Sequence, residues 1–144
     1  MSKLDTSAGF RIRGRLCGKD LHYQDIAVHD TATYYKGDLV NVESGYLDPA
    51  VTTDTAMVGP VMETVSCTTL VTKVRVCVDP DVILEVYDAN ARVIGATLDI
   101  SGAAGAQTVG GTVNAEFVVY ETSTATEPTL VIFNQAVHLF LKDQ

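Results

Sequence analysis

The residues able to do chemistry in this chain are three cysteines, three histidines and a run of turn carboxylates, and their spacing sets what each can do. Cys17, Cys67 and Cys77 are an odd set without a Cys-x-x-Cys pair, which argues against a disulfide framework and against a zinc ribbon. A thiol becomes a nucleophile only where a cation or base stabilises its thiolate. Cys17 lies between Arg15 and Lys19, but the sequence offers it no orienting histidine, so three reduced, mostly buried thiols are expected. His22, His29 and His138 form no H-x-H or H-x-x-x-H arrangement, which leaves a metal site little support and predicts surface or partly buried imidazoles. Asp79, Asp81, Asp88 and Asn90 could converge on a cation, yet their spacing is not that of a D-x-D-x-D-G calcium loop. Ser66 lacks the G-x-S-x-G elbow of acyl transfer. Gly102, Gly105, Gly110 and Gly111 sit in a loop without the Lys-Ser/Thr pair of a phosphate cradle. No metal, no cofactor and no catalytic set is expected.

Paired acids could meet in any fold and cleave a glycoside. The absence of Trp and the small number of Phe (4) and Tyr (6) weigh against a sugar-stacking cleft, and a lectin reading falls with it.

The elements that must position these residues read as strands. FRIRGRL, from Phe10 to Leu16, alternates, with Phe10, Ile12, Gly14 and Leu16 on one face and Arg11, Arg13 and Arg15 on the other. Further extended segments are expected at 21–28, 33–43, 57–65, 69–78, 82–87, 92–98, 113–120 and 129–141. Turns are expected at Lys36-Gly37-Asp38, Asp79-Pro80-Asp81 and Asp88-Ala89-Asn90, with stops at Gly45, Asp48 and Pro49. The segments around 69–98 are expected to form a meander, and 101–111 to be the longest loop. Eight or nine short strands and at most one short helix predict an all-β, single-domain small barrel or sandwich.

At 144 residues the chain can bury roughly two thirds of its extended surface around one core. No apolar run approaches the roughly 20 residues of a membrane-spanning helix, and the start lacks the apolar centre of a signal peptide, so synthesis in the cytoplasm is expected. The net charge of −8 is uneven: residues 1–23 hold five basic and two acidic groups, whereas the rest hold five and sixteen. An acidic body disfavours nucleic acid, whose binding depends on cationic groups replacing phosphate counterions. The basic start suits docking on an acidic protein surface; equally, it suits an edge strand whose arginines discourage unwanted pairing.

The order of features from Val74 to Gly111, a strand ending at Asp79-Pro80-Asp81, an apolar strand, the pair Ile94-Gly95 and a Gly-rich loop, resembles the small β-rich head decoration (cement) proteins of tailed bacteriophages. Gly9-Phe10-Arg11, Tyr35-Lys36-Gly37-Asp38-Leu39-Val40 and Pro128–Phe133 extend the resemblance over most of the chain. It implies a jelly-roll or β-tulip-like body over 21–144 with an N-terminal arm and first strand over 1–20. It also implies a non-enzymatic virion protein on the outer surface of the capsid. The partner would be the major capsid protein, with no direct contact to nucleic acid or membrane, and the protein would be a homo-oligomer, a trimer before a dimer. Phe10, Arg11, Ile12, Arg13 and Arg15 would form the capsid-binding arm with Phe10 as its anchor, and the chain should fold without residues 1–16. Gly102, Gly105, Gly110 and Gly111 would form a second contact loop. The competing readings are a head-fibre base or tail component, a small β-barrel binding a soluble ligand, and a metal-dependent jelly-roll enzyme.

Overall fold

The computed structural model describes residues 9–28, 31–68 and 73–140. They form thirteen strands and one 3-10 turn, Gln135–Val137. Six strands make the main sheet: β1 (Phe10–Arg15), β9 (Val82–Val86), β13 (Thr129–Phe133), β12 (Phe117–Glu121), β10 (Thr97–Ser101) and β11 (Thr108–Gly110), in that spatial order. Every pairing in it is antiparallel. A three-stranded sheet has β4 (Leu39–Glu43) between β5 (Tyr46–Pro49) and β6 (Met57–Pro60). Two ladders complete the set, β2 (Tyr23–Ala27) with β8 (Lys73–Cys77) and β3 (Thr33–Tyr34) with β7 (Val65–Ser66). A Val61–Val76 bridge joins the end of β6 to β8. The fold is all-β and sandwich-like, with open sheets rather than a closed barrel.

Alternation explains the layering. Along β4 and β6 neighbouring residues turn opposite ways, and both faces are covered. Leu39 and Met57 enter a core with Phe10, Leu84, Leu98, Phe117, Val131 and Phe133 from the main sheet. Val40 and Val58 enter a second core with Tyr34, Leu47, Val74 and Val76. The expected single core is therefore two, divided by a sheet whose strands are apolar on both sides, as doubly covered strands must be. In the first, Phe117 contacts the rings of Phe10 at 5.3 Å and Phe133 at 5.8 Å. In the second, Tyr34 satisfies its buried hydroxyl by donating to the Leu47 carbonyl at 2.9 Å.

Several local expectations are corrected. Asp48 and Pro49 are not part of the stop after β4 but the last two residues of β5. Ser44 and Gly45 both take positive φ (52° and 85°), the geometry of a two-residue hairpin turn, and reverse the chain into β5. Pro49 is tolerated because β5 is an edge. The Asp79-Pro80-Asp81 turn does not link neighbouring strands of a meander but carries the chain from the β2–β8 ladder to the main sheet. β9 and β10 are also separated, because β13 and β12 lie between them. The loop over 101–111 is a hairpin whose return strand is β11. Residues 69–72, part of the expected strand 69–78, lie outside the described residues, as do residues 1–8 of the expected arm.

Candidate functional site

The basic segment is built into the sheet. β1 pairs with β9 in the register Phe10–Val86, Arg11–Glu85 and Ile12–Leu84. The register then slips at a bulge between Ile12 and Gly14, so that Gly14 faces Ile83 and Arg15 faces Val82. One extra residue reverses the phase of a strand. Phe10, Ile12 and Arg15 therefore share the face of β1 opposite the buried residues of β9, while Arg11 and Arg13 lie on the other face with Glu85. Arg13 bonds Glu85 at 3.0 Å, and Arg11 approaches it at 3.9 Å. Phe10 is 2% exposed, so the expected anchor is spent in the protein's own core. A ring so placed is not free to act as the expected anchor, and removing residues 1–16 would take it out of the core.

Arg15, delivered inward by the bulge, neutralises two carboxylates. Its Nε donates to Asp81 at 2.7 Å, and its Nη1 lies 3.3 Å from Asp79. Asp79 is buried and also accepts from the His22 backbone N–H at 2.7 Å, with His22 Nδ1 at 2.9 Å and the Cys77 thiol at 3.7 Å. Burial alone would raise the Asp81 pKa, but hydrogen bonds from Arg15 and from the Cys17 thiol and backbone outweigh it and hold it below the ordinary value. Burial pushes the Cys77 thiol up to about 11, so it stays protonated and donates to Asp79 instead of attacking anything. A histidine, two carboxylates and two thiols meet here around one guanidinium. Sequence reasoning missed this convergence, because its members lie about sixty residues apart and carry no mutual spacing signal. The arrangement holds the β1 end, the segment before β2 and the crossover turn together.

The remaining turn acids do not join that knot. Asp88, at the opposite end of β9, accepts from Asn90 and from Arg92 Nε. Among the described residues no three His, Cys, Asp or Glu side chains converge as they would around an ion. His29 lies outside the described residues. His138, expected at the surface or half-buried, is fully buried. Its Nε2 donates to the Val58 carbonyl at 2.6 Å, and its Nδ1 accepts from the Phe140 N–H at 3.2 Å. Burial lowers its pKa, so the imidazole is a neutral core residue. Cys17 is exposed, and Cys67 and Cys77 are buried.

The expected glycine contact loop is held down from inside. The Gly105 N–H donates to both oxygens of buried Asp38, at 3.0 and 3.1 Å, and Gly105 lies so close to the Tyr35 ring that a Cβ there would stand 3.0 Å from it. Burial outweighs these hydrogen bonds and raises the Asp38 pKa. Gln107, fully buried, exchanges two bonds with the Leu39 backbone, at 2.6 and 3.0 Å. Gly110 is paired with Asp99 in β11, Gly111 packs on the Asp99 carboxylate, and Gly102 closes the turn against Ala106. The glycines serve close internal approach, while the outer side of the turn remains exposed.

Two other turns carry exposed apolar side chains, and both correct expected strands: the segments 92–98 and 113–120 become strands only from Thr97 and Phe117. Val93 and Ile94 are 65% and 63% exposed, yet their turn is pinned to the chain after β12. Arg92 and Ser123 exchange backbone bonds at 3.1 and 2.9 Å, and the Ile94 N–H donates to Thr122 Oγ1 at 3.0 Å. Val113, 88% exposed, rides on a loop fixed by one carboxylate. Asp99 accepts from the N–H groups of Val113, Asn114 and Ala115 at 3.1, 2.8 and 2.7 Å. Asn114 also donates to Thr52 Oγ1 at 2.8 Å, tying in the loop that carries exposed Val51. These two tips lie beyond opposite ends of β12, a five-residue strand that spans roughly 17 Å at about 3.4 Å per residue.

No protein-family model matches the chain, and no curated protein matches it at a significant level of sequence similarity. No helix among the described residues is long and apolar enough to cross a membrane.

Proposed function

We propose that this chain is a non-enzymatic virion structural protein, a decoration protein that binds the outside of an assembled phage head and bridges neighbouring major capsid subunits. One observation carries the reading: rigidly braced turns hold solvent-exposed apolar side chains at both ends of the main sheet. Exposing valine and isoleucine on fixed turns favours burial against a partner, and pre-ordering the turns lowers the entropy cost of docking. Two such contacts on one body gain by avidity when the partner presents two sites at the right spacing, which an assembled lattice does and a free subunit does not. A ligand that binds only the assembled shell stabilises it by mass action. A homo-oligomer, with a trimer preferred, would multiply the contacts further. The resemblance through Asp79-Pro80-Asp81 and Ile94-Gly95 supports the same reading, and Ile94 itself is one of the exposed tips.

The test is retention on purified expanded heads that lack the protein, measured by co-sedimentation. Wild-type protein should saturate expanded heads and leave unexpanded ones bare. Ile94→Asp and Val113→Asp should each weaken retention about 30-fold or more, the effect of losing an interface residue worth about 2 kcal/mol, with unchanged thermal unfolding. Full retention of both variants, or equal binding to expanded and unexpanded shells, would overturn the reading.

A further inference from the structure

The exposed edge of β1 borders a groove that the bracing role leaves unused. It has a volume of about 500 Å³ and is lined by Phe10, Ile12, Leu21, Pro60, Val61 and Met62, with Arg11 and Lys36 among its other residues. Among the described residues β1 is the outer strand of the main sheet, paired with β9 alone. The Phe10 N–H points away from β9 and donates to the Gly37 carbonyl at 2.8 Å. Backbone groups alternate sides along a strand, so the N–H and C=O of Ile12 face the same way, toward the groove. Neither has a partner among the described residues. Natural edges are usually shielded or paired, because such a row of groups is a template for another strand. Here Gly37 covers the edge at Phe10, the bulge at Arg13 ends it, and the opening between them lies over an apolar floor.

We propose that this groove binds an extended, acidic segment of a partner protein by strand addition. The Ile12 backbone supplies main-chain pairing, and the floor formed by Ile12, Leu21, Pro60 and Met62 takes apolar side chains at alternate positions of the incoming strand. Charge selects the partner. In a chain of net charge −8, the described residues lining this groove include Lys36 and no carboxylate, with Arg11, which also approaches Glu85 at 3.9 Å, beside it, so aspartate or glutamate on the incoming segment is favoured over lysine or arginine. A second copy of this chain is a poorer occupant, because its basic strand β1 and basic N-terminal region would meet Arg11 and Lys36. The inference goes beyond the bracing role, which needs only the two apolar tips, and either can fail without the other.

The probe is a blocked hexapeptide alternating valine with aspartate, titrated into the full-length, nitrogen-15-labelled protein and followed by amide chemical shifts. Saturable binding should move the Ile12 amide downfield and slow its hydrogen exchange. The same peptide with lysine for aspartate should bind at least tenfold more weakly. Lys36→Glu should weaken the acidic peptide about tenfold without changing the melting temperature. Ile12→Pro, which removes an outward N–H and no bond to β9, should abolish binding. The proposal is overturned if the acidic peptide leaves Ile12 unmoved, if the lysine peptide binds as well, or if Lys36→Glu has no effect. Two results without peptide would also overturn it. Concentration-dependent protection of Ile12 would assign the groove to a second copy, and protection at every concentration would assign it to the chain's own terminus.

Discussion

β1 and the Val93–Ile94 turn invert each other's roles. β1 holds the most conspicuous charge pattern in the sequence, yet Arg13 is paired with Glu85, Arg15 is paired with Asp79 and Asp81, and Phe10 fills the core. The turn holds no pattern at all, yet its two apolar side chains stand in solvent on a backbone fixed by Thr122 and Ser123. Charge that is answered inside a fold contributes to folding. Apolar surface left unanswered on a rigid turn is available to a partner. β1 is thus engaged within the fold through Phe10, Arg13 and Arg15, whereas the proposed capsid contacts lie on the turns.

Substitutions at the two regions should separate most widely in stability. Phe10→Ala removes a ring from the Phe10–Phe117–Phe133 cluster and should cost about 3–5 kcal/mol, whereas Ile94→Ala should change unfolding by no more than about 0.5 kcal/mol. Urea unfolding of both would break the comparison if the costs were alike. The two guanidiniums of β1 should also differ: Arg15→Ala leaves Asp79 and Asp81 without their cation and should lower the urea midpoint clearly more than Arg13→Ala, whose exposed pair with Glu85 is worth little.

The pH dependence sharpens the distinction between core and surface. His138 is held neutral with its pKa lowered by burial, so the unfolded chain takes up a proton that the folded one refuses. Stability should be flat above the ordinary histidine value of about 6.5 and fall as pH drops below it. Asp81, held below its ordinary value, should add a second loss at lower pH, as acid overcomes its bond to Arg15. Substituting His138→Leu should remove the upper step and keep the lower one, read from urea midpoints between pH 7 and pH 3.

Glu116 runs the other way. Burial raises its pKa, so its contribution is greatest in acid and is lost as pH rises through the folded value. Glu116→Gln retains an oxygen to accept from the Ile100 N–H, a bond of 3.0 Å in the wild type. It should leave the neutral-pH midpoint unchanged or raise it, within about 1 kcal/mol. The smallest effect is chemical: brief alkylation of the native protein should modify Cys17 alone, and mass spectrometry showing label on Cys77 would contradict its burial and raised pKa.

Alternation and turn chemistry made much of the fold legible. The strands at Phe10–Arg15 and Lys73–Cys77, the Asp79-Pro80-Asp81 turn and the polar segment before Thr129 were all readable, because period-two patterns and Pro or Gly turns act locally. Strand partners were not, since nothing near β9 announces that β13, some forty residues on, will lie beside it. The bulge at Arg13 was equally silent, and it decided where Arg15 points. For the site, residue type misled: arginines looked like contacts because their carboxylates are distant in sequence. Val93, Ile94 and Val113 were read into the expected strands 92–98 and 113–120, because apolar residues beside a strand extend its apparent pattern, whereas the strands begin only at Thr97 and Phe117.

Electron microscopy of expanded heads saturated with this protein, at a resolution that places side chains, tests the central claim most directly. The account predicts Val93 and Ile94 buried against one capsid subunit and Val113 against its neighbour, with Phe10 still inside the decorating domain. Density for the bound protein with both tips in solvent, or with β1 peeled from β9 and inserted into the shell, would contradict it.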